Sequence, residues 1–429
     1  MKINDDQTRY NITEEACQIS NFKTSRIFFL CLIYILLCAV ITNVIHVNVF
    51  HPVSYISSTM RSSSSHHPSI SASSSCDSTI VKATKMAICL VGGARRFELT
   101  GPSIVKHVLQ EYPNADLFLH GPLDQNAYKF FLLKTAPRIA AVRIFDPHRI
   151  AETKMQLRVL SSGDSPNGTQ GLLQYFNLVE GCLGLISAHE SRHNFTYEWI
   201  VRTRVDGYWS APLDTSAFQL NGYLVPAGSR FGGLNDRLGI GDRATSAVAL
   251  SRLSVLPVLA AIGHQNLNSE SAFKAQLAAT HVRAKEATLP FCILSDRHYM
   301  YPPGRFGVPV AAIDGGGRLS GAKCRPCEAV CTGKCVEKVW RLLNKGWGWL
   351  ERSEGSLGLC NATGPWEEGW ERVFDRAAGE KAAAERRKVE AVDLAGCQRE
   401  LEGLKKKANL WDAPAPAEIC RLGLVDSVL

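Results

Sequence analysis

No internal repeat runs through this chain of 429 residues, which excludes the solenoids and propellers built from repeated units. The segment GGARRF, beginning at Gly92, has neither the spacing of a dinucleotide fingerprint nor the G-K-[ST] ending of a P-loop. Acidic residues are the scarcer charge, with 40 Asp and Glu against 48 Lys and Arg, a formal net charge of +8. That surplus fits a nucleic-acid binder and also an enzyme for phosphorylated or acidic substrates. Charge is missing altogether from residues 27–50, IFFLCLIYILLCAVITNVIHVNVF.

A run of that length is enough to cross a hydrocarbon core of about 30 Å. It follows 26 largely polar residues and is longer than the apolar part of a cleaved signal peptide, so it reads as an uncleaved anchor. Lys2, Arg9, Lys23 and Arg26 precede it, whereas Arg61 is the only basic residue in the 20 that follow. The positive-inside rule then places residues 1–26 in the cytosol and everything after residue 50 in the lumen. That placement makes a nucleic-acid partner improbable. Residues 51–84 are rich in serine, cannot bury enough apolar surface to fold, and read as a disordered luminal stalk.

Residues 85–323 alternate short apolar runs with helical periodicity. Strands are predicted over 86–91, 115–120, 139–145, into Arg202, over 223–226 and over 289–294. Helices are predicted over 99–110, 125–134, 170–190, 245–262 and 269–279. The alternation predicts an α/β, Rossmann-like domain with a mostly parallel sheet and helices on both faces.

The central stretch is YEWIVRTRVDGYW, from Tyr197 to Trp209. Arg202, Arg204 and Asp206 leave an extended segment on one face. Their chemistry fits a metal-bound diphosphate, with Asp206 holding a hard divalent cation and the arginines forking onto phosphate oxygens. A structural Arg–Asp pair at a strand end fits the same spacing. Gly92 and Gly93 would let the backbone approach a nucleotide at the carboxyl end of the first strand, with Arg95 and Arg96 adding phosphate contacts. FGGLNDRLGIGDR, with Asn235 and Asp236, reads as a loop held against a ligand or as an Asx-turn. Glu270, opening a helix, is a candidate general base or a plain complement to the helix dipole. His298 is a late metal or phosphate ligand, or simply a hydrogen-bonded loop residue.

Of the 14 cysteines, Cys17 precedes the apolar run, Cys31 and Cys38 lie within it, and an odd number follow. In an oxidising lumen Cys324, Cys327, Cys331 and Cys335 are better read as disulfides than as a zinc site, with Cys360, Cys397 and Cys420 joining them. Cys89, inside the first strand, is the expected free core cysteine. Residues 324–429 therefore read as a small Cys/Trp-rich C-terminal module. Its amphipathic helix, over 367–407, would pack on the domain or on a second copy of the chain. Asn167, Asn194 and Asn361 head luminal N-x-T sequons.

The anchor, VGGARRFE, VRTRVDGYW, FGGLNDRLGIGD and the tail CRPCEAVC…LCNATGPWEEGW together resemble a plant family of unassigned function. Over residues 85–307 its luminal domain is similar to bacterial lipopolysaccharide-synthesis glycosyltransferases of the WavE type. The resemblance implies a GT-A-like fold, a nucleotide-sugar donor with Mn²⁺ or Mg²⁺ and a glycan acceptor; the layout of short cytosolic tail, single anchor, stalk and large luminal domain is, by analogy, that of enzymes resident in the Golgi membrane. Arg202, Arg204 and Asp206 would then occupy the donor-diphosphate region, and Asn235 and Asp236 would line the same cleft. The usual GT-A D-x-D is absent, because Arg204 stands two positions before Asp206. A non-catalytic binding module of the same fold is the alternative; a sulfotransferase is a further one, although GGARRF lacks the hydroxyl residue such enzymes set beside phosphate.

Overall fold

The computed structural model describes residues 78–161, 163, 167–315, 318–343 and 357–425. The expected anchor, residues 51–77, Cys76, Trp347 and Trp349 lie outside them. Among the described residues no helix is long and apolar enough to cross a membrane.

The chain forms β1 (Met86–Val91), β2 (Asp116–Pro122), β3 (Ile139–Phe145), β4 (Trp199–Arg204), β5 (Gly207–Trp209), β6 (Tyr223–Pro226) and β7 (Leu238–Asp242). After these come β8 (Ala284–Ala287), β9 (Phe291–Leu294), β10 (Val310–Ala312), β11 (Ala322–Arg325), β12 (Cys331–Thr332), β13 (Gly358–Leu359) and β14 (Ala408–Asp412). An eight-stranded sheet has the order β14-β3-β2-β1-β4-β7-β6-β8, and a six-stranded sheet the order β12-β13-β10-β11-β9-β5. In the first, only the β4–β7 and β7–β6 pairings are antiparallel. The second is mixed, with β10, β11 and β9 parallel to one another.

Alternation along the central strands sends side chains to two cores. Met86, Ile88, Leu90 and Val201 face one side, where Phe130, Phe131, Leu401 and Leu404 cover them. Ala87, Cys89, Val91 and Ile200 face the other, covered by Val179, Cys182 and Ile186 of the long helix α1 (Gly168–His193) and by Phe273. The α/β fold with helices on both faces is thus as the periodicity implies. The order β3-β2-β1-β4 reverses direction at β1, so the crevice between the carboxyl ends of β1 and β4 is the topological switch point.

Several details differ from the sequence reading. The last part of the expected stalk is a helix, Ser78–Ala83, because Val81 is buried against the first core. Residues 127–135 form a 3-10 helix, and the helix expected over 245–262 breaks into α2 (Arg243–Leu250) and a shorter helix, Leu256–Ala261. The boundary expected between residues 323 and 324 falls inside β11, and β14 extends the first sheet by pairing with β3. The Cys-rich tail is therefore woven into both sheets. Its amphipathic stripe (Val389, Cys397, Leu401, Leu404) is buried within the chain, which leaves those residues unavailable to a second copy.

Among the described residues the disulfides are Cys89–Cys182, Cys292–Cys324, Cys327–Cys360, Cys331–Cys335 and Cys397–Cys420. Cys89 is therefore not free. Its side chain faces α1, and its partner lies 93 residues away, too far for any local spacing to reveal. Closing a loop of 93 residues stabilises by about 4.6 kcal/mol in the chain-entropy picture. Replacing Cys89 and Cys182 together by alanine should lower the urea-unfolding free energy by roughly that amount. Peptide mapping without reductant should recover the two cysteines in one cross-linked peptide; finding Cys89 alkylated as a free thiol would contradict the pairing.

Candidate functional site

The first sheet hands the chain to the second at the end of β4, where Val205 and Asp206 turn into β5. Val205 N–H donates to the Val91 carbonyl at 3.1 Å, and Leu294 N–H to the Asp206 carbonyl at 3.0 Å. The turn is thereby fastened to β1 on one side and to β9 on the other. Gly92, just beyond β1, has φ +124, and a Cβ there would come within 3.1 Å of Val205, so glycine is required where the two strand ends meet.

Arg202 and Arg204 leave β4 on the face of Ile200, as their alternate spacing implies. Arg204 then folds onto Asp206, with Nε to Oδ1 at 2.8 Å and Nη2 to Oδ2 at 2.6 Å. The two side chains keep 31% and 28% of their surface exposed, so the pair faces the crevice. Burial alone would raise the Asp206 carboxyl. The Arg204 guanidinium, with Lys323 and Arg237 behind it, outweighs burial and holds the carboxyl below its usual value.

This arrangement does not fit the divalent metal expected at Asp206. Both carboxylate oxygens already accept from a guanidinium, and the further neighbours are cations. Among the described residues no three His, Cys, Asp or Glu side chains converge on a metal position. The structural Arg–Asp pair is what the strand end contains.

Beneath it lies a buried layer centred on Asp236. This carboxylate accepts a short hydrogen bond from the Ser269 hydroxyl, and Arg252 Nη2 stands 3.5 Å away. Burial would raise its pKa, but Arg252 and Arg202 outweigh that and lower it. Arg252 lies between the rings of Phe273 and Phe176, at 4.4 and 5.0 Å from their centroids, and donates to the Ser269 carbonyl at 2.9 Å. Arg202 is 2% exposed, and among the described residues its Nε and Nη1 have no hydrogen-bond partner. Leaving buried donors unsatisfied costs about 1–3 kcal/mol each, so an arginine in this state is poised to receive an acceptor.

The third layer was only partly legible in the sequence. Glu270 occupies the first turn of α3 (Ser269–Ala279), which Asn268 caps by accepting from Ser271 N–H at 2.8 Å. Burial and the negative charge of Asp236 push the Glu270 carboxyl up to about 7, against the pull of Arg237. Gly233 packs directly on this turn: a Cβ there would sit 1.9 Å from the Glu270 carbonyl. Lys323, on β11, projects away from the neighbouring core residues Ala322 and Cys324 and reaches the cluster from the second sheet. Burial, Arg237 and Arg204 lower its pKa well below that of an ordinary lysine.

Arg202, Arg204, Arg237, Arg252 and Lys323 thus share one site with Asp206, Asp236 and Glu270. Cations outnumber carboxylates there, and more so when Glu270 is protonated. Sequence reasoning missed Arg252 and Lys323 as members. Arg252 follows a helix the periodicity had run straight through, and Lys323 sits at what looked like a domain boundary.

Other predicted residues have different work. Asn235 is buried, donates to the Ser320 carbonyl at 3.1 Å and accepts from Arg237 N–H, so it is the Asx-turn that shapes the loop. Arg95 is exposed. Arg96 pairs with Asp296 at 3.0 Å and lies 4.3 Å from the centre of the Trp366 ring, clipping the Gly92–Gly93 turn to the C-terminal tail. His298 is exposed, and Asp242 and Arg243 serve as a helix cap and as the partner of Glu190. Asn167, Asn194 and Asn361 are all exposed. A separate groove of about 1270 Å³ runs past Tyr208, Asp214, Gln219 and Arg318, and none of the clustered charges lines it.

Glu270 should set a distinct pH dependence of stability. Its usual value is 4.5, so between there and about 7 the folded protein holds a proton that the unfolded chain has lost. Stability contributed at this position therefore falls as pH rises through that window, by up to roughly 3 kcal/mol. Glu270→Gln should gain on the wild type by that order between pH 4.5 and pH 8 in urea unfolding. Parallel profiles for the two proteins would show that the carboxyl is not desolvated.

No curated protein matches the chain. The sequence profile described as Domain of unknown function (DUF7796) matches residues 81–426, and so spans both sheets and the cluster between them. The chain belongs to that family.

Proposed function

We propose that this protein is a glycosyltransferase that moves a sugar from a nucleotide-sugar donor to a luminal glycan, anchored as a type II protein in the Golgi membrane. The observation that carries this reading is the surplus of cationic side chains at the β1/β4 switch point, with two Arg202 donors unpartnered among the described residues. A diphosphate brings the negative charge that such a site needs. Fixed cations there also stabilise charge that develops on a departing diphosphate, so they do the electrostatic work that a metal does elsewhere. The resemblance to lipopolysaccharide-synthesis glycosyltransferases points the same way. The membrane anchor rests on the charge-free run at residues 27–50, and the exposure of Asn167, Asn194 and Asn361 suits luminal glycosylation.

In this reading Arg202, Arg237 and Lys323 hold the phosphates, while Arg204 is oriented by Asp206 at the rim. Glu270 is the general base that takes the acceptor's proton, since a carboxyl near 7 is matched to neutral pH. A second reading, a binding module without catalysis, is favoured by one feature. The Arg204–Asp206 fork is complete within the protein and asks for no ligand.

The described residues form one compact unit. A secreted fragment beginning at Asp77 therefore serves for titration calorimetry against pyrophosphate and a panel of nucleotide sugars, with EDTA throughout. Binding without metal is expected, with Lys323→Met weakening it at least about tenfold. Binding should take up protons near neutral pH, because an arriving anion raises the Glu270 carboxyl further above its value of about 7; the measured heat will then vary with the ionisation enthalpy of the buffer. A folded fragment that binds nothing would favour the non-catalytic module, and binding only with Mn²⁺ would overturn the fixed-cation site.

A further inference from the structure

The loop between β6 and β7 holds four of five successive residues at positive φ. Gly228 has φ +76, Ser229 +47, Phe231 +41 and Gly232 +83. Glycine adopts such angles freely, but a phenylalanine there is a strained exception. The loop is fixed from both sides. Arg230 pairs with Glu286 on β8 at 2.7 Å, Asn268 Nδ2 donates to the Phe231 carbonyl at 2.9 Å, and Leu234 N–H donates to the Glu270 carbonyl at 3.1 Å.

That strain does not bury the ring. Phe231 keeps 40% of its surface exposed, while Arg237, at 5% exposure, lies 5.6 Å from the ring centre. The same arginine donates to the Gly321 carbonyl at 2.7 Å, so its head is anchored beside the cation cluster. Gly233, two residues on from Phe231, touches the backbone of Glu270. An exposed aromatic ring thus stands over an arginine of the cation cluster, on a loop whose backbone packs against the turn that carries Glu270.

We infer that Phe231 is the platform for the acceptor: a neutral pyranose stacks its apolar C–H face on the ring, with a hydroxyl directed at Glu270. An aromatic ring suits such a ligand because it offers a broad apolar face at small loss of conformational freedom. This rests on the glycosyltransferase reading and adds the acceptor's chemical class. In the transfer the hydroxyl oxygen bonds to the anomeric carbon as the bond from that carbon to the diphosphate oxygen breaks. The bonding pair leaves on the diphosphate, and the hydroxyl proton passes to the Glu270 carboxylate. A base on the acceptor in a single displacement implies inversion at the anomeric carbon.

The test uses the Asp77 fragment, fluorescently labelled, on an array of immobilised neutral oligosaccharides in the presence of pyrophosphate. Phe231→Leu keeps the apolar bulk and removes the ring; Phe231→Trp keeps a ring. Wild type and Phe231→Trp are expected to bind a common set of glycans, and Phe231→Leu to lose about tenfold in affinity for them. Pyrophosphate, titrated separately, should bind all three proteins alike. If pyrophosphate binds but no glycan does, or if Phe231→Leu binds the same glycans undiminished, the acceptor platform is wrong. If pyrophosphate also fails to bind the wild type, the anion site itself is wrong and the platform falls with it.

Discussion

Two guanidinium groups, those of Arg202 and Arg252, are buried under the crevice, and the structure tolerates them because the charge of Asp236 offsets both. Arg202 and Arg252 are 2% and 1% exposed, and an uncompensated charge at such depth would cost several kcal/mol. Asp236 belongs to the loop before β7, Arg202 to β4, Arg252 to the break after α2, and Ser269 to the start of α3. One carboxylate therefore fixes how four elements meet. Its charge also adds to burial in raising the Glu270 pKa, so the anion site and the candidate base are tuned by the same residue.

The second sheet matters to the site for a related reason. The first sheet can place Arg202 and Arg204 at the switch point, but the crevice has a far wall, and β11 supplies it with Lys323. β11 is held by its pairing with β9 and by Cys292–Cys324, and β9 is in turn fastened to the Asp206 turn. Arg325, on the same strand, is buried and donates to the carbonyls of Ser295, Arg297 and Gly364. Arg96 meanwhile stacks on Trp366. The C-terminal tail is thus a brace for the loops around the crevice, and truncating it would expose both sheets.

Much of the first sheet could be read from the sequence, because buried parallel strands are continuous apolar runs and the helices between them are periodic. Met86–Val91, Ile139–Phe145 and Ser269–Ala279 carry those signals cleanly. Of the second sheet only β9 was legible, as the apolar run over 289–294; several of its other strands have only two or three residues, too short for any periodicity to register. At the site, the facing of Arg202 and Arg204 followed from alternation. Whether Asp206 would meet a metal or Arg204 did not, because the same spacing serves both and only side-chain geometry separates them. Lys323 and Arg252 were invisible for a plainer reason. Each joins the cluster through contacts across the chain, and nothing local marks a lysine or arginine as buried.

On the proposed reading, the electrostatics of the crevice also couple donor to base. Arg237 is the cation that acts most strongly to lower the Glu270 pKa, and Glu270 is the charge that acts most strongly on Arg237. In the free protein that pull partly offsets burial and the repulsion of Asp236. A diphosphate resting on Arg237 and Lys323 would cancel it, and Glu270 would rise further and become the stronger base. Stronger basicity comes with a smaller ionised fraction, so the gain serves catalysis only where the acceptor hydroxyl is already against the carboxylate. On the proposed reading a platform at Phe231 would meet that condition by ordering the acceptor before the proton must move. In this arrangement a carboxyl near neutrality is matched to a site whose charge changes whenever the donor arrives or leaves.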